Sequence, residues 1–151
     1  MNEEPIEILL VEDCPEDEEL TLNSLRKNKL VNAIHVVRDG AEALEFFSRS
    51  GRYARRDRGD PKLVLLDLRL PKLSGLEVLR NLKSDPATRD IPVVVLTASR
   101  DTRDFDEVRS LGVNCFLAKP VVFDQFAEVV RQLGMRWLLL REPPVAQSAT
   151  A

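Results

Sequence analysis

The sequence predicts an α/β fold in which helices cover both faces of a parallel sheet. Three runs, Ile6–Val11, Leu63–Leu66 and Val93–Leu96, are nearly continuous in apolar residues and rich in branched ones. Strands buried on both faces read this way. Segments of helical period lie between and after them, and strand alternates with helix five times. That alternation implies parallel strands joined by right-handed crossovers.

Each element follows in order. The first strand, Ile6–Val11, runs into Glu12-Asp13. The first helix covers about residues 15–29, with Glu16, Asp17, Glu18 and Glu19 in its opening turn, where the helix dipole favours negative charge. A weaker strand, Ala33–Val37, precedes a second helix that starts at Asp39. Glu42 stands three residues on, a capping-box spacing, and Ala43, Leu44, Phe46 and Phe47 supply the apolar face. Residues 48–61 then form a long polar loop carrying Arg49, Arg52, Arg55, Arg56 and Arg58, expected to be largely solvated. The third strand, Leu63–Leu66, ends into Asp67. Ser74 and Glu77 open the third helix at capping-box spacing, ahead of Val78, Leu79 and Leu82. The fourth strand, Val93–Leu96, ends into Thr97-Ala98-Ser99. The fourth helix, about residues 103–111, stops at Gly112, a common C-terminal signal. A weaker fifth strand, Asn114–Leu117, leads into Ala118-Lys119-Pro120. The fifth helix, about residues 123–133, places Phe126, Val129, Val130 and Leu133 on one side.

Residues 1–134 are therefore read as one domain, and residues 135–151 as a C-terminal extension. The extension carries Trp137-Leu138-Leu139-Leu140, then Pro143-Pro144 and a small-residue end expected to be disordered. Trp137 and its leucines could pack on their own domain or cover a dimer interface. The 22 basic against 25 acidic residues give a net charge of −3, which offers no general attraction for nucleic acid or anionic membranes. Two cysteines, Cys14 and Cys115, make no disulfide framework and point to a reducing compartment. The first residues are too polar for a signal peptide, and no apolar run is long enough to span a bilayer. The expectation is a cytoplasmic protein.

In a parallel sheet of this type, ligands bind beyond the carboxyl ends of the strands. Glu12, Asp13, Asp67, Thr97 and Lys119 all follow strand ends, so three carboxylates, a hydroxyl and an ammonium should converge along one edge. Adjacent carboxylates resist ionising together, and a divalent cation reverses that cost. Mg2+ prefers one or two carboxylates together with water and phosphate oxygens. Such a site suits phosphoryl transfer to Asp67, which depends on positioning and electrostatic stabilisation. Lys119 and the Thr97 hydroxyl could each meet a phosphoryl oxygen.

These residues sit in motifs that resemble the receiver domain of two-component response regulators. The matching pieces are Leu10-Val11-Glu12-Asp13, Leu66-Asp67-Leu68-Arg69-Leu70-Pro71, Leu73-Ser74-Gly75-Leu76-Glu77, Leu96-Thr97-Ala98-Ser99 and Ala118-Lys119-Pro120. Thr97 falls thirty positions after Asp67 and Lys119 twenty-two after Thr97, intervals that fit the family. The resemblance covers about residues 6–133. It implies a flavodoxin-like doubly wound sheet of order 2-1-3-4-5, with Asp67 as phosphoacceptor. It also implies Asp13 as a direct Mg2+ ligand, Glu12 as a ligand through water and the backbone carbonyl of Arg69 as a further ligand. Thr97 and Lys119 would sense the phosphoryl group, Phe116 would be the switch aromatic and Lys119-Pro120 a cis peptide. The implied partners are a sensor histidine kinase and a second copy of the chain, paired through the helix 4–strand 5–helix 5 face. The implied role is a signalling switch that catalyses only its own phosphorylation and dephosphorylation, with no output domain.

A finer resemblance rests on the long arginine loop, the stretch Gly112–Val121 and the Trp137 tail. It points to the small receivers that partner bacterial phytochrome kinases. Departures from the family pattern are Glu12 in place of the commoner Asp, Phe116 without a tyrosine hydroxyl, and the large cationic Arg69 beside the phosphosite. An aspartate-nucleophile phosphatase would need a second acid where Arg69 stands. A flavin- or nucleotide-binding module is disfavoured because no Gly-rich loop follows the first strand. The plain readings remain: Asp13 as an N-cap for Glu16, Thr97 as a β-branched strand residue, Lys119 as a surface lysine and His35 as a structural histidine.

Overall fold

The computed structural model describes residues 8–27, 34–55, 60–70, 73–97, 102–113 and 115–134. Ile6, Glu7, Lys29, Ala33, Arg56, Arg58, Pro71, Ala98, Ser99, Asn114 and the whole extension 135–151, with Trp137, lie outside the described residues. Five strands, β1 (Ile8–Val11), β2 (Ile34–Val37), β3 (Leu63–Asp67), β4 (Val93–Thr97) and β5 (Phe116–Ala118), alternate with five helices. The helices are α1 (Pro15–Lys27), α2 (Gly40–Ser48), α3 (Gly75–Ser84), α4 (Thr102–Ser110) and α5 (Phe123–Gln132). The sheet is wholly parallel in the order β2-β1-β3-β4-β5, as the resemblance implied.

The period of two along each strand sends alternate side chains into two separate cores. Leu9, Val11, Val64, Leu66, Val93 and Val95 pack against Phe46 of α2, Val78, Leu79 and Leu82 of α3 and Val108 of α4. Ile8, Leu10, Leu63, Leu65, Val94, Leu96 and Leu117 pack against Leu25 of α1 and Phe126 and Val130 of α5. Both faces of β1 and β3 are thus filled, which is why their sequences are apolar without alternation. The two weaker sequence signals belong to the sheet edges: β2 is mostly half-buried, and β5 is buried only at Leu117.

Three strand ends reach further than their apolar runs. Asp67 pairs with Leu96 inside the sheet, and Thr97 pairs with Ala118. Hydrophobic patterning marks where side chains are buried, whereas the ladder is made by backbone groups and continues through polar residues. Consequently Asp67 and Thr97 are strand residues.

Local signals acted as expected at the helix starts. Asp39 accepts the Glu42 N–H at 2.7 Å, and Ser74 accepts the Glu77 N–H at 3.2 Å. Glu42 reaches back to the Arg38 N–H at 3.0 Å, completing a box one residue longer than usual. Gly112 follows α4 with φ of 92°, a conformation that favours glycine. Gly75 is required for space: a Cβ there would lie 2.2 Å from the Asp67 carbonyl oxygen and 2.6 Å from Leu68 Cα. Its N–H donates to the Leu68 carbonyl at 2.9 Å, so the start of α3 is fastened directly under the end of β3.

The described arginines of the loop, Arg49, Arg52 and Arg55, are exposed as expected, while Tyr53 packs back onto the fold. After Arg49, in the left-handed region with φ of 57°, a 3-10 turn at Gly51–Tyr53 folds back on α2. The Tyr53 ring meets Phe46 and His35 edge-on at 5.2 and 5.5 Å. Its hydroxyl donates to Glu42 at 2.6 Å and lies 2.8 Å from His35 Nε2. Arg52 pairs with Glu45 at 3.0 Å. His35 thus has the structural role expected of it, stacked on Phe46 at the β2 edge.

Candidate functional site

The carboxyl ends of β1, β3 and β5 bring Glu12, Asp67 and Lys119 together. Glu12, directly after β1, is fully buried, and Asp67, the last residue of β3, is 5% exposed. Lys119, directly after β5, lies between them. Its Nζ is 2.7 Å from Asp67 Oδ2 and 3.2 Å from each Glu12 oxygen. The other Asp67 oxygen, Oδ1, accepts the Arg69 N–H at 2.9 Å, which fixes the rotation of the carboxylate. Glu12 Oε2 also accepts the Cys14 N–H at 3.3 Å. The Lys119 backbone N–H donates to the Thr97 carbonyl at 3.0 Å, tying the ends of β4 and β5 into one rim. The Lys119-Pro120 peptide is cis, in accord with the resemblance.

Asp13 joins this group from the solvent side. Glu12, Asp13 and Asp67 each offer a carboxylate oxygen within 4.8 Å of the others, with Asp13 exposed and the other two buried. Three hard oxygen donors at this separation, open on one side, suit Mg2+ or Mn2+ better than a softer ion. A fourth acid, Asp17 in the first turn of α1, sets its Oδ2 2.9 Å from Lys119 Nζ. In the sequence it was visible only as one of several acids at a helix start.

The electrostatics follow from this crowding. Burial, and then the neighbouring Asp67 carboxylate, push the Glu12 carboxyl up from 4.5 to about 7, against the opposing pull of Lys119. Burial alone would lower the Lys119 ammonium. Its hydrogen bonds to Asp17 and Asp67, with the charges of Asp67 and Glu12, outweigh that and hold it above its ordinary range. The site is thus an anionic cup carrying one fixed cation, with carboxylate charge that a divalent ion would relieve.

Of the remaining candidates, Thr97, Arg69 and Pro120 lie along the same rim and Phe116 sits two residues below it. Thr97 is half-buried at the end of β4. Phe116, at the start of β5, is half-buried, with its ring 4.8 Å from Phe105 of α4 and 5.4 Å from the Arg109 guanidinium. Arg69 is exposed beside Asp67, and Pro120 is exposed. Cys14 and Cys115 are both free thiols, and burial pushes the Cys115 thiol up. Among the described residues, no helix is long and apolar enough to cross a membrane.

Comparison with known proteins agrees with this geometry. The response regulator receiver domain family matches residues 8–131. The response regulator Rcp1 of Synechocystis sp. is 38% identical over 134 residues, which cover 89% of this chain and 90% of that protein. The bacteriophytochrome response regulator AtBRR superposes with a TM-score of 0.83 at 51% identity, covering 93% of this chain and all of that one. The Mn2+-bound form of Rcp1 superposes with a TM-score of 0.73 at 38% identity, covering 93% of this chain and 99% of that one. A sheet of order 2-1-3-4-5, a buried acid at the end of its central strand and a lysine reaching it from β5 therefore come with matching sequence along most of the chain, which belongs to the response regulator receiver domain family.

Proposed function

We propose that this receiver accepts a phosphoryl group on Asp67 from a sensor histidine kinase, with Mg2+ held by Glu12, Asp13, Asp67 and the Arg69 carbonyl. The observation that carries the reading is the Asp67 carboxylate at the end of β3, paired to Lys119 at 2.7 Å and within 4.8 Å of Glu12 and Asp13. A carboxylate oxygen of Asp67 forms the new bond to phosphorus. The P–N bond to the donor imidazole breaks and its electron pair leaves with the imidazole. A bound divalent cation would neutralise carboxylate charge and the charge that builds on the phosphoryl oxygens. The Arg69 N–H holds Asp67 in one orientation, and Lys119 supplies a cation that can turn from the carboxylate to a phosphoryl oxygen. Thr97, across from Ala118, would meet a second oxygen.

The phosphoryl group adds charge and acceptor oxygens at the rim, and Thr97 and Phe116 would carry its effect to the surface formed by α4 and β5. Phe116 packs on Phe105 of α4, so a shift of either changes that surface. The finer parts of the reading are a phytochrome-type kinase as donor, pairing of two copies across the α4–β5–α5 face, a cytoplasmic setting, turnover limited to its own phosphate, and a domain of residues 1–134 followed by an extension. The likeness to Rcp1 and AtBRR supports the first of these.

The test is incubation with Mg2+ and acetyl phosphate, read by intact mass. Wild type should gain one phosphoryl group; Asp67→Asn and a chelator-treated sample should not. A gain that persists in Asp67→Asn would place the acceptor elsewhere.

A further inference from the structure

We infer that Asp17 is a positioning residue that holds Lys119 over the phosphoacceptor from the side of α1; this rests on the reading of Asp67 above. An ammonium has three N–H donors and no acceptor. In this structure Lys119 meets three carboxylates: Asp67 at 2.7 Å, Asp17 at 2.9 Å and Glu12 at 3.2 Å to each oxygen. Three carboxylates from three parts of the fold therefore share the one ammonium. Glu12 and Asp67 belong to the trio that would hold the cation, and Asp67 also takes the phosphoryl group. Both partners have other uses, and each of those uses loosens its grip on the lysine.

Asp17 differs from them in place and in exposure. It stands outside the trio, on the first turn of α1, and its side chain is 31% exposed against 0% and 7% for Glu12 and Asp67. A long lysine stem left to the solvent side would regain rotamer freedom and leave the rim. Asp17 opposes that by tying the ammonium to a rigid helix turn that neither cation nor phosphate requires. Being partly hydrated, this pair is weak enough for Lys119 to pivot about it toward a phosphoryl oxygen.

The consequence is read at the lysine itself. With Mg2+ present, reductive methylation by formaldehyde and a borohydride reagent is followed residue by residue by mass spectrometry. Lys119 should be labelled about three- to fivefold faster in Asp17→Asn than in wild type, the range for loss of one partly exposed ion pair. Asp17→Glu should return the rate to that of wild type, and the exposed Lys62 should be unchanged throughout. Equal labelling of wild type and Asp17→Asn would overturn the inference, as would Asp17→Glu labelling as fast as Asp17→Asn. Phosphorylation by acetyl phosphate, run on the same samples, separates the two readings. Wild type that gains no phosphoryl mass refutes the phosphoacceptor. Wild type that gains it while Asp17→Asn keeps both its labelling and its rate refutes the role of Asp17 alone.

Discussion

Replacing Glu12 by Gln should stabilise the metal-free protein, and the gain should depend on pH. Glu12 is fully buried beside Asp67, and its carboxyl is raised from 4.5 to about 7. A carboxyl raised on folding binds its proton more tightly in the folded state. Stability is then greatest below about pH 4.5, falls as pH rises, and levels off above about pH 7. At roughly 1.4 kcal/mol for each pH unit, the full gap is about 3 kcal/mol of stability missing at alkaline pH. Glutamine copies the protonated form without titrating. Urea unfolding in EDTA should therefore show Glu12→Gln more stable than wild type by about 2–3 kcal/mol near pH 8, and by less than about 1 kcal/mol near pH 5.

The same argument predicts that Mg2+ reverses the order. A cation would stabilise ionised Glu12 in wild type and gain less from the amide, so its apparent affinity should rise with pH up to about 7. Equal stability of the two proteins at both pH values would refute the claim that Glu12 is held in the fold against its tendency to stay protonated. A gain that is the same at both pH values would refute it as well, because a packing effect does not titrate.

Two further outcomes follow from the packing. Gly75→Ala should lower stability by about 1–3 kcal/mol in urea unfolding, although alanine is the better helix former, because its Cβ would press on the Asp67 carbonyl; unchanged or increased stability would remove the steric reason for this glycine. Tyr53→Phe deletes the hydroxyl between His35 and Glu42 and should cost about 1–2 kcal/mol. It should also speed tryptic cleavage after Arg52 and Arg55, and unchanged cleavage would mean that the hydroxyl does not hold the loop.

The parts of the fold legible from the chain were those governed by local rules. The runs Leu63–Leu66 and Val93–Leu96 are strands because both faces are buried, and burial of this kind leaves an apolar record. Asp39 and Ser74 are caps because their side chains compete for nearby backbone groups. The ends of β3 and β4 were less legible, since Asp67 and Thr97 are paired through backbone while their side chains are polar. The described arginines of the loop are exposed, as arginine usually is, whereas the packing of Tyr53 on Phe46 of α2 and His35 of β2 left no local signal.

The order of elements and the identity of the acids and the lysine at strand ends are written in the chain itself, because strand parity, helix period and capping act over a few residues. Glu12, Asp13, Asp67 and Lys119 could be proposed as one site on that basis. Folding decided the rest: the 2.7 Å between Lys119 and Asp67, the burial that raises Glu12, and the approach of Asp17 from α1. Lys119 is 107 residues from Glu12, and distances across such a separation are set by how helices and strands pack, which no local pattern encodes.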